Sequence, residues 1–472
     1  MVKAYKPLLL LPLMVACSTT EPQPLGTEMA SPQQKWDTGD ASMDSSAMMG
    51  EDWWTDFDQP DLSLSIRTAL ESNYDLMAAA ARVQAVSARL RAVAGDRLPQ
   101  VNAGLGLKRS RTNIIGLPFP GSPDVLPITN NNFNLGLDLS WEIDLWGRLE
   151  ASENAAIANL TASDADYAAT RLSLAGQTAK AWLARTDARA QLEIATAQQQ
   201  NAQEQLSYWQ LKLRHQSVAD ALLQAEANLA LAEAAIPAAT EQLEMWDRQL
   251  ATLMGGYPSR SKEDMVSSLP TLPGAVPLGL PADLIQRRPD LVSAEAKVRE
   301  ARFSSEVADA SLYPVLALTG SGGITSNELV DLLDFDFRTW SLGTSLTAPL
   351  FHGGTLSAQA EAAEKLAVAS ELQFAQSLLR ALAEVENALG SEAQIQARIG
   401  ELEQQLEALQ RRSANSESRF QAGVGDAFSI YQHRADALRA KSSLHSARLL
   451  LLTNRIDLYL ALGGGFQTSP QR

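Results

Sequence analysis

The residues able to do chemistry are few and scattered in this chain of 472 residues. It has one cysteine and four histidines, and no Ser/His/Asp, Cys/His or paired-carboxylate spacing rises above chance. Gly320–Gly323 has the glycines of a phosphate-binding loop, but no Lys-Ser/Thr follows it. Arg288–Asp290 has the pattern of a helix start, with proline at the first helical position. We therefore predict that the chain is not an enzyme and has neither a metal nor a cofactor apart from a covalent lipid.

The one reactive group in a recognisable setting is the thiol of Cys17. Lys3 and Lys6 precede a short apolar stretch that ends in Ala16-Cys17, which resembles the lipobox of bacterial lipoproteins. An ordinary export signal with an incidental cysteine is the alternative. We predict a lipoprotein signal peptide over residues 1–16.

A lipid on Cys17 would hold the N-terminus on a membrane. Ser18 follows the cysteine, whereas aspartate there would suggest retention at the inner membrane in such lipoproteins. The expected location is therefore the outer membrane, with contact to its lipid. Residues 17–50, rich in Ser, Thr, Gln, Met and Pro, are predicted to be a lipidated flexible tether.

The charge balance limits the partners of the chain. Lys and Arg number 39 against 55 Asp and Glu, for a net charge of −16. Without a basic stripe, such a chain repels the phosphates of nucleic acids and anionic lipid headgroups, so we expect no nucleic-acid partner. The chain also lacks a run of eighteen apolar residues, which excludes a bundle of membrane-spanning helices.

Two proline-free stretches predict very long helices. No proline lies between Leu149 and Ile236 or between Leu350 and Ser469, and both stretches are rich in good helix formers. A helix over residues 148–214 would be about 100 Å long. We expect one break in each stretch, near Gln216-Ser217 and over residues 422–425, which gives two helical hairpins.

A pair of segments with alternating apolar and polar residues precedes each hairpin. This period predicts β-strands with one apolar face. The apolar positions of the first pair are Val101, Ala103, Leu105 and Leu107, then Phe133, Leu135, Leu137, Leu139 and Trp141, and those of the second pair are Leu316 and Leu318, then Trp340, Leu342, Leu346 and Ala348. Loops are expected over Thr112–Asn131 and Thr325–Arg338.

The order helix, two strands, hairpin occurs twice, so the chain reads as an internal duplication. We predict a first repeat over 51–256, a connector over 257–280 that contributes to an equatorial segment, a second repeat over 281–466 and a tail over 467–472. Four strands cannot close a membrane barrel, so further copies must supply the rest. The fold class is then an α+β membrane protein whose β-barrel continues into a long periplasmic α-helical barrel. Two copies would give a barrel of eight strands, whose interior is filled by side chains. Three copies would give a barrel with a wider lumen.

One face of the second segment would line a water-filled lumen. It carries Asn134, Gly136, Asp138, Ser140 and Glu142. Asp138 and Glu142 either tune the cation preference of this lumen or only keep it wet.

Several short motifs, in their order and spacing, carry a resemblance to a known family. They are Trp53-Trp54 with Pro60-Asp61-Leu62, Asn73-Tyr74-Asp75-Leu76, the run 141–148 (WEIDLWGR), Arg288-Pro289-Asp290-Leu291, Pro349-Leu350-Phe351 and Phe420 to Val424. Together they resemble the outer-membrane efflux protein family of TolC/OprM-like channels, in the lipoprotein branch that serves multidrug efflux pumps. The resemblance implies a homotrimer with a twelve-stranded barrel, a periplasmic adaptor protein and an inner-membrane efflux pump that supplies the energy.

The resemblance also implies roles for the two hairpin tips. In such channels the tips close the periplasmic end and the adaptor docks beside them. The matching residues are Ser217, Val218, Ala219, Ala422, Gly423 and Val424. Asp220 and Asp426 follow the tips; they either form acidic rings at a periplasmic gate, which attract cations, or start helices.

The expected function is passive conduction of small toxic compounds or drugs through the outer membrane. Two alternatives remain open: an outer-membrane conduit for type I protein secretion, and a lipid-anchored trimeric coiled-coil scaffold.

Overall fold

The structure is a computed structural model that describes residues 36, 50–115, 125–213, 219–259, 268–276, 278 and 281–465. The expected signal peptide, Cys17, the C-terminal tail, and Ser217 and Val218 of the first tip therefore lie outside the described residues. Of the expected tether only Trp36 and Gly50 are described, and Trp36 packs against the main hydrophobic core.

Four strands form one antiparallel sheet in the order β1-β2-β3-β4. Their bounds are β1 Gln100–Ile115, β2 Val125–Ile143, β3 Val315–Ser326 and β4 Arg338–Thr347. Strands β2 and β3, which come from different halves of the chain, pair with each other. The alternating pattern thus predicted all four strands, and the duplication brings the two hairpins into one sheet.

The first hairpin is longer than the sequence indicated. Pairing continues from the apolar part to Asn113↔Pro127 and Ile115↔Val125. The loop expected over Thr112–Asn131 was therefore predicted too long, since residues 112–115 and 125–131 belong to β1 and β2. Backbone hydrogen bonds outside a bilayer do not require an apolar face, which is why the alternation fades before the strands end. The second loop was close to its expected place, between Ser326 and Arg338.

Eight α-helices account for most of the other described residues. They are α1 Pro60–Ser72, α2 Tyr74–Gly95, α3 Arg148–Leu213, α4 Ala219–Leu253, α5 Leu284–Arg287, α6 Pro289–Ala310, α7 Thr355–Gln421 and α8 Ala427–Ala461. The two long helices have 66 and 67 residues, about 100 Å each at 1.5 Å per residue. Helix α4 continues through Pro237, which removes one backbone donor without ending it. None of the described helices is apolar enough over its length to cross a membrane.

The main hydrophobic core lies where the ends of the hairpins meet the N-terminal segment. Trp53, Trp54 and Phe57 are buried there in a short 3₁₀ turn. The ring of Trp53 stacks on that of Tyr459 at 5.1 Å, and the Tyr459 hydroxyl donates to Asp56 at 2.8 Å. Small alanines on α3 and α8 allow close helix approach at this level, so the segment after the tether is fixed to the helical body.

Candidate channel lining and periplasmic tips

The register divides the sheet into an apolar and a polar face. Val101 pairs with Leu139, Leu105 with Leu135, and Leu135 with Ile324, so the apolar residues of successive strands share one face. On the other face Asn102 lies opposite Asp138, and Asp138 opposite Ser321. A sheet with one apolar and one polar face suits a barrel wall between lipid and water.

The two acidic residues expected in the lumen differ in their surroundings. Asp138 is exposed on the polar face, with no partner among the described residues. Glu142 accepts hydrogen bonds from the guanidinium of Arg148, both carboxylate oxygens lying 2.8 Å from Nη2. Because Arg148 is the first residue of α3, this pair joins the sheet to the long helix, and the charge of Glu142 is balanced within the chain.

The second tip is a tight turn that needs glycine. Helix α7 ends in a Schellman motif, in which the Val424 amide donates to the Arg419 carbonyl and the Gly423 amide to the Phe420 carbonyl, both at 3.0 Å. Gly423 has a φ of 76°, which favours glycine. Val424 is largely exposed. The turn therefore presents a rigid, partly apolar point at the end of the hairpin.

At the first tip, Ala219 and Asp220 begin α4 and are exposed. Asp220 lies in the first turn of a helix, where a negative charge is stabilised by the helix dipole.

Asp426 stands at the N-terminus of α8 but makes no side-chain capping hydrogen bond. Its carboxylate accepts a hydrogen bond of 3.4 Å from the hydroxyl of Tyr208 in α3. The ammonium of Lys212 lies 5.2 Å from the centre of the Tyr208 ring, and the pKa of Lys212 is raised by Tyr208 and by the charge of Asp426. A polar link therefore connects the last turns of α3 to the start of α8.

A second link lies farther from the tips. The guanidinium of Arg434 in α8 binds Glu204 of α3 at 3.0 Å and also Glu417 of α7. His433 beside it shares a 2.7 Å hydrogen bond with the hydroxyl of Ser416. Arg434 thus joins three helices. Local sequence patterns could not predict this role, because Glu204 is far from Arg434 in the sequence.

Two buried arginines hold the middle of the molecule. Arg288 lies 2.7 Å from Glu384 and donates to the carbonyl of Ala461 at 3.1 Å, so the predicted helix start is also a contact between α6, α7 and α8. Arg455 pairs with Glu392 and donates to the Pro273 carbonyl of the connector at 3.0 Å. Sequence analysis missed both roles.

No group of three or more His, Cys, Asp or Glu side chains that could hold a metal ion occurs within the described ranges.

Comparison with known proteins agrees with this arrangement. The model of the family described as outer membrane efflux protein matches residues 65–256 and 280–464. A pyoverdine export outer membrane protein, OpmQ, of Pseudomonas putida is 33% identical over 495 residues, covering 98% of this chain and 99% of the relative. The cation efflux system protein CusC of Escherichia coli O6:H1 is 29% identical, covering 88% of each chain.

A solved structure gives the same result. The outer-membrane channel OprN superposes with a TM-score of 0.82 at 28% identity, covering 92% of this chain and 97% of the other. The resemblance to the outer-membrane efflux protein family, inferred from the sequence motifs, is thus confirmed by both the family match and the shared fold. The chain belongs to the outer membrane efflux protein family, as an outer-membrane channel of efflux systems and not an enzyme.

Proposed function

We propose that three copies of this chain close one twelve-stranded barrel and conduct small molecules passively to the exterior. The observation that carries the proposal is the four-stranded sheet, whose outer strands β1 and β4 each pair on one side only among the described strands. Unpaired backbone groups in lipid cost several kcal/mol each. A barrel of three copies has twelve strands and a lumen wide enough for solutes. A barrel of two copies would have eight strands, and side chains would fill its interior.

The residues on the polar face of the sheet suit a water-filled lumen that carries little charge. On the described strands its charged residues are Lys108, Asp138 and Glu142, and Glu142 is paired with Arg148. The remaining positions are mostly Asn, Ser, Thr and Gly. Such a lining selects solutes weakly, so the choice of cargo rests with the pump. Small polar molecules of the kind exported by the pyoverdine relative fit this wall.

The long helical hairpins supply the connection to the partners. Helices of about 100 Å on two hairpins per chain are long enough to carry the lumen far into the periplasm. We propose that the tips, Ala219 and Ala422–Val424 with Ser217 and Val218, receive a periplasmic adaptor that joins the channel to an inner-membrane pump. Asp220 and Asp426 would then face the gate.

The lipid anchor belongs to the same proposal. Cys17 would carry acyl chains that keep the N-terminus in the membrane while the barrel spans it. Support comes from the setting of this residue in the sequence and from the buried segment around Trp53, which would tie the anchor to the helical body.

One pair of variants tests which face lines the lumen. A Cβ atom at Gly104, on the polar face, would meet no atom within 4 Å, so Gly104→Trp should narrow the pore without disturbing the sheet. Its neighbour Ala103 lies on the apolar face, and Ala103→Trp is the matched control. We expect heat-resistant trimers from both variants and a reduced single-channel conductance in planar bilayers only from Gly104→Trp.

The opposite result, or no conductance from a trimeric wild-type protein, would overturn the proposal and favour a scaffold. Deletion of the gene should sensitise cells to several unrelated compounds. Crosslinking from the tips in intact cells should capture the adaptor; capture of a secreted polypeptide in transit would instead favour protein secretion.

A further inference from the structure

Three arginines interrupt the apolar face of the sheet near one end. Arg109 and Arg111 follow Leu105 and Leu107 on β1, and their register partners Asn131 and Thr129 continue the face of β2 that carries the apolar side chains. Arg338, the first residue of β4, lies on the same face, opposite Ile324. All three are exposed. Cations on the outward face of a barrel need an explanation, because the lipid-facing band of a barrel is apolar.

These arginines lie at the end of the sheet away from the helices. On β2 the apolar face runs from Trp141, close to the start of α3, to Phe133. The eight steps between these residues, at about 3.4 Å each and tilted by about 40°, give a band roughly 20 Å tall. Arg109 therefore lies one step beyond this band, at the level of the outer-leaflet headgroups.

Aromatic residues stand at the ends of the apolar face on single strands. On β4 this face begins with Trp340, which is 80% exposed and next but one to Arg338; by register it lies opposite Gly322, and Gly322 lies opposite Leu137 of β2. At the other end of the sheet the indole of Trp141 donates to the Arg97 carbonyl at 2.9 Å. Tryptophan favours the interfaces of a membrane. Trp340 thus supports an interfacial level for Arg338, and the strand length supports one for Arg109.

The guanidinium groups have no ion-pair partner within the described part of the chain. Neither a hydrogen bond nor an ion pair joins Arg109, Arg111 or Arg338 to a described residue. The loop between β3 and β4 carries four acids, Glu328, Asp331, Asp334 and Asp336. Asp331 accepts a hydrogen bond from Ser326, and Asp334 accepts one from the amide of Asp336. The three arginines, here called the basic patch, are therefore unpaired cations in a chain of net charge −16.

Closure of the barrel would bring the patch together. Strands β1 and β4 are the two outer strands of the sheet, so β1 of one copy would neighbour β4 of the next. Arg109 and Arg111 would then share an outward surface with Arg338 of the adjacent copy. Arginine binds phosphate with two parallel hydrogen bonds, and several arginines at one level suit a headgroup with more than one phosphate.

We propose that Arg109, Arg111 and the Arg338 of the adjacent copy bind the phosphate groups of a phosphorylated glycolipid in the outer leaflet. The proposal rests on the trimeric barrel proposed above. Each barrel would carry three such sites, one at each seam between copies. A bound lipid would bridge two protomers and stabilise the closed sheet, so the composition of the outer leaflet would influence assembly.

The test uses the purified full-length trimer and two probes, bisphosphorylated lipid A and the same lipid without its phosphates. Native mass spectrometry measures lipid retained per trimer, and thermal melting measures the stabilisation that the lipid gives. We expect the phosphorylated probe to be retained and to raise the melting temperature, and the dephosphorylated probe to do neither. In Arg109→Gln/Arg111→Gln, retention should fall about 30-fold, roughly fivefold for each interfacial arginine.

Lys108→Gln is the matched control, since Lys108 directly precedes Arg109 in the sequence but lies on the polar face. It should retain the lipid like the wild type. Equal retention of both probes by the wild type, or equal loss in Lys108→Gln and the double variant, would overturn the site. The comparison of the two probes on the wild-type trimer does not depend on whether any variant folds. Conductance and trimer formation, measured on the same samples, report failure of the barrel separately from failure of lipid binding.

Discussion

The hydroxyl of Tyr208 in α3 donates to the carboxylate of Asp426 at the start of α8, across 3.4 Å. The link holds the two hairpins of one chain together near their tips. It also occupies the side chain that would otherwise have capped α8, since Asp426 makes no capping hydrogen bond. The two roles considered for Asp426, a charge at the gate and a helix cap, are therefore separable by substitution.

Asp426→Asn should lower the preference of the pore for cations if Asp426 contributes an acidic ring, because rings of carboxylates attract cations. The measurement is the reversal potential of single channels in a salt gradient. Tyr208→Phe is the control, since it removes the hydrogen bond and leaves the charge. A reversal potential unchanged in Asp426→Asn would exclude an acidic ring and leave Asp426 its hydrogen bond with Tyr208. Asp220→Asn applies the same test to the first tip.

Arg434→Gln should loosen the hairpins at the level where α3, α7 and α8 meet. The three charged side chains are 38–42% exposed, so solvent screening limits the loss to about 1 kcal/mol. Thermal melting of the trimer followed by circular dichroism would detect it. Arg411→Gln is the control, because that arginine is 73% exposed and pairs only within its own helix. A loss of equal size in both variants would contradict a role in joining helices.

Trp53→Ala should destabilise the middle of the molecule strongly. The side chain is buried and stacks on Tyr459, and truncation of such a residue costs about 3–5 kcal/mol. Tyr459→Phe removes only the hydrogen bond to Asp56 and should cost about 1 kcal/mol. Urea titration of the purified trimer gives both values. Tyr257→Ala, at a residue 86% exposed, should change little.

Acidification should destabilise the helical hairpins through two histidines of α8. Burial and Arg412 lower the pKa of His433, and burial with Lys441 and Arg448 lowers that of His445. The unfolded chain then binds more protons than the folded one, so stability is full above the unfolded pKa of about 6.5 and falls as the pH decreases through the lowered folded values.

Melting temperatures across that range give the measurement. His433→Gln/His445→Gln should flatten the pH dependence between neutral pH and about pH 5. An unchanged slope in the double variant would show that other groups carry the acid sensitivity.

Cys17→Ala should abolish incorporation of radiolabelled palmitate and leave the channel in the outer-membrane fraction, because the proposed barrel spans the bilayer without the lipid. Fractionation and labelling of the same cells measure both. Continued labelling of the variant would place the lipid on another residue or exclude it.

The periodicity of the sequence predicted most of the fold. Four alternating segments predicted the strands, and two proline-free stretches predicted the long helices. This was possible because burial on one face imposes a period of two residues in a strand and 3.6 in a helix, and one sequence is enough to show it. The strand ends were less accurate: Asn113 and Pro127 pair beyond the apolar part, where the backbone alone holds the hairpin.

The contacts between helices could not be predicted in this way. Arg434 and Glu204 are 230 residues apart in the sequence, and Arg455 reaches a carbonyl of the connector. Such pairs depend on which faces of the two hairpins meet. Local sequence patterns do not determine how two hairpins pack, so they cannot predict these pairs. The glycine turn after α7 could be predicted from the sequence, because its conformation depends only on nearby residues.

Helix α3 has 66 residues within the described ranges, and α7 has 67. A deletion in one of them would shorten that helix by about 1.5 Å and rotate everything beyond it by about 100°. Insertions and deletions in these helices therefore have to occur in matched form during evolution, or the proposed rim at the hairpin tips becomes uneven. Substitutions face no such restriction, so the length of this channel should diverge far more slowly than its sequence.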